Sequence, residues 1–580
     1  MSVMKTIYHL SFKAPENHQA TVKIDLSCEL FENDQLTLFL PSWSPGSYLM
    51  REYARNVRCV RALSQKGEPL FCQQSDKGQW LIDLNKSEVG QKPKSVTFEY
   101  QVYCHELTVR TSHIDASHAF IHGPSVFMGV LGKQDLPVEL HLDIPPAWSK
   151  VATGLKETST KRDEFIYCAD DYDQFVDAPL ELGCHFSDGF MLDGKAHELA
   201  FYGECAREGG FEGLKKDIQT IVEHVSKTMG GMPYEEKYTF ISHFVPGKFG
   251  GLEHLNSTAL QFCPLKLADK KMYLKWLELV AHEYFHTWNV KRIRPKELGP
   301  FDYTKEAMTR MHWLTEGLTS FMDQLFVFRC QFASLDDYLE MMKENFNRYY
   351  TIAGRRFHSL EESSYNAWLV LYRPDENSSN SSISYYLKGG LVFFALHLLF
   401  AKKGAKTDDL LKLLWKRYLD NPKVGVETEE VLKMIEEVGG REVRQQFEIM
   451  TQTTEEIDFE KLCLDAGMKW KWSDEKDTVW LGFQQELKGQ RVFVKSVSLD
   501  GPFYKSGVNA EDEIIAINGI RVDSSNLSDH KKTLVKNKNY KLTLSRLGLI
   551  KEVDFQVEST PRKLEKIEAL DPKKVSEIFN

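Results

Sequence analysis

The five residues His282, Glu283, Tyr284, Phe285 and His286 constrain this chain more than any other stretch. Leu274, Leu277, Val280, Ala281, Tyr284 and Trp288 keep the three-and-four spacing of a core-facing stripe, which predicts a helix here. Histidines four apart on a helix project from one face, one above the other. That spacing is a two-point grip on a metal ion. Glu283, one residue past the first histidine, faces the same cavity, where a carboxylate takes a proton from water; it is the candidate general base.

A hydrolytic zinc site wants three protein ligands and one open position. A second helical stretch, predicted from about 305 to 328, contains Trp313-Leu314-Thr315-Glu316-Gly317. Glu316 is the candidate third ligand. Trp313, Leu314, Leu318, Phe321 and Met322 make its helix apolar, and a charge buried there needs a partner. Glu297 and Glu306 are alternatives that read as loop or helix start. Two imidazoles and a carboxylate suit one Zn2+ per chain.

A chain of 580 residues is too long for one core. Residues 1–185 read as short alternating strands, an N-terminal β-sandwich or saddle. Residues 186–350 carry strands and the two metal-site helices, 351–468 are helical by pattern, 469–560 form a smaller β-rich unit, and 561–580 are a charged tail that packs back or frays. The fold class is multidomain α+β. A net charge of −10 over this length gives no basic patch for nucleic acid or an acidic membrane. The ten cysteines form no CxxC pair, the pattern of reduced, individually buried thiols. No cleavable leader and no long apolar run is read, so a cytoplasmic protein off the membrane is expected, with the sequons at Asn377 and Asn380 only loop composition.

HExxH followed by a distant WLxEG resembles the gluzincin metallopeptidases. GGLEH, Gly250 to His254, resembles the GAMEN segment of the zinc aminopeptidases, with His254 in place of asparagine, and YLKG, Tyr386 to Gly389, resembles their tyrosine-x-lysine-glycine element. PSWSPGSYLMREYARNV, Pro41 to Val57, and HEYFHTWNVKRIRP, His282 to Pro295, are similar to the glycyl aminopeptidase family, peptidase family M61. The stretch from Trp480, through GPFYKSGV and DEIIAINGIRV, looks like a PDZ domain.

The resemblance implies a thermolysin-like catalytic domain and a zinc aminopeptidase acting on peptides with a free N-terminus, with small first residues, glycine and alanine, preferred. Glu253 would then accept the substrate's α-ammonium, and Gly250 and Gly251 would permit close backbone approach of a substrate that adds to the open sheet edge at Tyr238 to Phe244. Tyr386, with Tyr385 as fallback, would donate to the oxyanion. Tyr48 and Arg51 are either part of a rigid loop or reach the cleft. Lys291, Arg292 and Arg294 sit where a helix C-terminus favours cations. In the PDZ unit, amides of Leu481, Gly482 and Phe483 would cradle the carboxylate of a C-terminal peptide, unless the unit only docks on the catalytic domain. An endopeptidase of the same fold, or an adaptor acting through the PDZ unit, are the alternatives.

Overall fold

The computed structural model describes residues 5–31, 34–87, 93–161, 164–474 and 479–580. The chain divides into two compact units, Met1–Met308 with Leu411–Glu427, and Thr309–Leu410 with Thr428–Asn580. The segment 186–350 is therefore shared between them.

The first unit opens with the alternating strands. In Gln19–Ser27, Ala20, Val22, Ile24 and Leu26 point inward and their neighbours outward, the period of two that a half-buried strand requires. Among the described residues, eleven such strands join one sheet, all antiparallel except for Thr6–Ser11 against Val138–Asp143. A smaller sheet holds Lys150–Thr153, Leu180–Gly183, His118–Ile121 and His113–Ile114.

A third sheet runs in the order Phe186–Leu192, Lys195–Gly203, Lys237–Phe244, Ser257–Phe262, Phe249–Glu253. Lys195–Gly203, Lys237–Phe244 and Ser257–Phe262 are parallel, and the last two are buried on both faces, as parallel strands are. This corrects the expected edge. Tyr238 to Phe244 is internal, because Lys195–Gly203 pairs with one of its edges and Ser257–Phe262 with the other; the outermost strand is the glycine-bearing Phe249–Glu253, antiparallel to Ser257–Phe262.

The helix predicted from 305 starts later, inside the second unit. Residues 305–311 are irregular, Trp313–Gly317 form a π-helical turn, and Leu318–Arg329 continue as α-helix. Tyr385–Ala401 is mostly apolar and mostly buried, with Lys388 and His397 among its buried side chains. The stretch Ser378–Ala401 is long and apolar enough to cross a membrane, but 89% of its most apolar window is buried in the protein, the mark of a core helix.

The PDZ-like unit is an insertion rather than an appendage. Met468–Trp472 before it pairs antiparallel with Leu564–Ala569 after it, a two-stranded stem. It is tied to the helices by Asn380, whose amide donates to Val497 O and accepts from Leu499 N, both at 2.8 Å. The tail packs back. The helix Pro572–Phe579 places Phe579 between His397 and Phe394, and Arg329 Nε donates to its carbonyl at 2.7 Å. All ten cysteines are free, but Cys59 and Cys184 are exposed rather than buried.

Candidate active site

The metal-site helix, Lys270–Phe285, is capped by Asp269, whose side chain accepts from Met272 N at 2.9 Å. Leu277, Val280, Ala281, Tyr284 and Trp288 are fully buried, as the stripe predicted. Tyr284 also hydrogen-bonds Ser226 at 3.0 Å and Tyr234 at 2.8 Å, which fixes the rotation of the helix and hence where its histidines point. The His282 and His286 rings are 4.6 Å apart and nearly perpendicular. His286 Nδ1 donates to Asn289 O at 2.6 Å, so its Nε2 keeps a lone pair facing the other way. An imidazole pinned at its far nitrogen is the arrangement of a metal ligand, and the donor set of this helix fits a zinc ion.

Both glycines of GGLEH are explained, by different causes. Gly250 has φ +155°, which side chains rarely adopt. At Gly251 space is the constraint: a Cβ there would lie 2.5 Å from Glu283 Cγ and closer still to its carboxylate. The general-base candidate thus lies directly on the edge strand. Arg110 donates to Gly251 O at 3.4 Å.

Glu253 ends that strand, 4% exposed, and its Oε1 has no hydrogen-bond partner among the described residues. Ligand atoms of Glu253, Glu283 and His286 lie within 4.8 Å of one another. On its other side the Glu253 carboxylate abuts Gly46 of the PSWSPGSY loop, where a Cβ would come within 2.7 Å of Cδ. Gly46 was not read from sequence; the loop's glycine beside two prolines was the available signal. Tyr48 lines a cavity of about 240 Å³ that Glu253 also borders, together with Trp43, Asp173 and Arg294. Arg51 lies away from it, donating to Ser47 at 2.9 Å.

Asp177 was also missed. It accepts from Lys291 Nζ at 2.7 Å, from Leu255 N at 2.7 Å and from His254 Nδ1 at 3.2 Å, tying the end of GGLEH to the loop after HEYFH. Burial pushes its carboxyl up, but Lys291 and His254 outweigh it and hold it at about 2. The histidine that replaces asparagine in the motif thus has a partner of its own. Arg292 donates to Thr287 O at 2.8 Å, the helix-end role expected of these cations. Asp177→Asn leaves Lys291, 7% exposed, without its counter-charge. The expected cost is about 3–5 kcal/mol, read as a lower urea midpoint at neutral pH.

In the second unit Glu316 is 1% exposed, inside the π-turn. Such turns insert one residue into a helix and occur often at functional sites. The turn packs through Gly317 against Gly389 of the YLKG element, where a Cβ on either would meet the other's Cα within 2.8 Å. Glu316 and Tyr386 are neighbours for this reason. The Tyr386 hydroxyl is 3.3 Å from that of Tyr372. Burial, and then the Glu316 carboxylate, push its pKa well above the ordinary value, so it stays a proton donor. Tyr385 instead stacks on His312 at 5.0 Å within the core. Lys388 is buried, which brings its pKa down to about 8. Glu297 and Glu306 are exposed.

In the PDZ-like unit Phe483–Lys488 is an edge strand. The preceding turn is set by Gly482, φ +68°, with Ser498 N donating to Gly482 O at 2.7 Å and Phe503 N to Leu481 O at 3.1 Å. Lys531 lies over the Phe483 ring, 5.4 Å from its centre.

Residues 7–184 match the peptidase M61 N-terminal domain, 275–392 the M61 glycyl aminopeptidase domain and 471–545 the PDZ domain. No curated protein matches the chain. Among solved structures, an aminopeptidase N family protein from Idiomarina loihiensis is similar over 99% of this chain and 100% of its own, with 26% identity and a TM-score of 0.90. The M1 zinc metallopeptidase from Deinococcus radiodurans is similar over 78% of this chain and 95% of its own, with 14% identity and a TM-score of 0.48. With the M61 N-terminal and M61 glycyl aminopeptidase domains matched in order, the chain belongs to the M61 glycyl aminopeptidase family, a metallopeptidase that carries a PDZ domain.

Proposed function

We propose that the protein is a zinc aminopeptidase that removes the first residue of peptides. His282, His286 and Glu316 would hold the ion. The observation that carries the aminopeptidase reading is Glu253, a buried carboxylate whose Oε1 lacks a hydrogen-bond partner among the described residues, beside Glu283 at the end of an edge strand. A charge so buried calls for a cation, and in a peptidase the α-ammonium of the substrate supplies it. This fixes where the chain must begin.

The zinc, when bound, supplies Lewis acidity that polarises the scissile carbonyl and acidifies water. Glu283 takes the proton from the attacking water at a carboxylate oxygen and passes it to the leaving amine. Tyr386, kept protonated, donates a hydrogen bond to the developing oxyanion, a contribution of about 3 kcal/mol. The strand Phe249–Glu253 pairs with the extended substrate, and Gly250 lets the backbones approach. The first residue is small, glycine or alanine, as the likeness to the glycyl aminopeptidases implies. At the PDZ domain the edge strand Phe483–Lys488 and the turn Leu481 to Phe483 would receive a C-terminal peptide.

The test is hydrolysis of aminoacyl amides, free and N-acetylated, by metal-loaded protein. Cleavage of glycyl and alanyl amides that is abolished by acetylation is expected. Equal cleavage of the acetylated peptides would identify an endopeptidase, and Glu253→Gln would then leave that activity untouched.

A further inference from the structure

A second group of metal-binding side chains lies in the first unit, away from HEYFH in sequence. The strands His113–Ile114 and His118–Ile121 are joined by a tight turn, Asp115 to Ser117. One ligand atom each from His113, Asp115 and His118 lie within 4.8 Å of one another.

Both imidazoles are held from behind. His113 Nδ1 donates to His105 O at 2.6 Å, and His118 Nδ1 donates to Glu181 Oε1 at 2.8 Å. Each Nε2 therefore carries a lone pair, and a carbonyl or carboxylate behind the ring is the usual support of a metal-bound histidine. His118 is further fixed by stacking on Tyr202 at 3.6 Å. His113 Nε2 is 3.2 Å from Asp115 Oδ2. Two ligands about 2.0 Å from a tetrahedral zinc are about 3.3 Å apart, so this spacing is already that of a coordination edge. With Nδ1 carrying the ring's proton, two lone pairs would face each other across this gap unless a second proton or a cation lay between them.

Asp115 divides its labour. Oδ1 accepts from Ser117 N at 2.7 Å and His118 N at 3.1 Å, which leaves Oδ2 for the ion. Partial burial pushes its carboxyl up, but Ser117 and His113 outweigh this and hold it well below the usual range. The side chains of His118, His113 and Asp115 are 1%, 14% and 34% exposed, so the group is reached from solvent at Asp115.

We propose that His113, Asp115 and His118 form a second metal site that takes a divalent ion of the zinc class. Glu181 Oε2 also accepts from His243 Nε2 at 2.9 Å, and His243 lies on the central strand Lys237–Phe244. The ion would therefore brace the turn against the sheet that leads to Glu253.

The experiment is zinc content of the full-length protein, stripped with chelator and dialysed against micromolar free zinc. Two ions per chain are expected in the parent, one in His113→Gln, one in Asp115→Asn and one in His282→Gln. A competition titration in the His282→Gln background reads the second site alone, and loss of His113 is expected to weaken it by about 10–100-fold or more. Circular dichroism of the metal-free variants checks that they fold as the parent does. A single ion lost only with His282, or a second ion indifferent to both His113→Gln and Asp115→Asn, would overturn the proposal. Neither result bears on the aminopeptidase reading, which rests on other residues.

Discussion

Glu283→Gln is expected to lower kcat for alanyl amide hydrolysis by about 10²–10⁴-fold, the range for removing a general base. The amide keeps the size of the carboxylate against Gly251 but cannot accept the water's proton. Bound metal and KM should hold close to the parent's, because in the proposed mechanism Glu283 is neither a ligand nor the ammonium anchor. Steady-state kinetics alongside metal analysis of the same sample make the comparison. A variant that retains the parent's kcat would assign proton transfer to another group.

Gly251→Ala carries the second large effect. One methyl group there collides with the Glu283 Cγ, Cδ and carboxylate, so the side chain must leave its position or the strand must shift. A displacement of about 1 Å of a reacting group costs about 10²-fold in rate, so kcat/KM for alanyl amide is expected to drop by at least that much. Gly250→Ala is the informative companion. Nothing lies within 4 Å of its Cβ position, yet its φ of +155° is strained for alanine, so its loss should appear as lower stability, at about 1–3 kcal/mol. Melting curves and kinetics of the pair separate crowding from strain. Equal activity losses in both would mean that the close packing on Glu283 is not what Gly251 provides.

What could be read from the chain alone follows from distance along it. HEYFH was legible because helical periodicity and ligand spacing are local. The burial of Glu316 was legible because its neighbours along the helix are apolar. The π-turn that holds Glu316 was not, since an i→i+5 pattern is chosen by packing, here the contact of Gly317 with Gly389. Gly46 and Asp177 touch GGLEH from remote segments, and no periodicity announces such a meeting. The edge strand was misplaced because Tyr238 to Phe244 and Phe249 to Glu253 are both short β-rich runs; only pairing decides which one is outermost. The PDZ domain was recognised by its order of strands, while its status as an insertion depended on Met468–Trp472 finding Leu564–Ala569.

That insertion has a consequence for how the molecule is made. As the chain leaves the ribosome, the PDZ core closes from residues that are near one another, but the helices beneath it still lack the second stem strand and the ring of Phe579. The core around His397 stays open until residues 564–579 have been synthesised. Helices that carry Glu316 and Tyr386 thus complete their packing only once the second stem strand and Phe579 have been made.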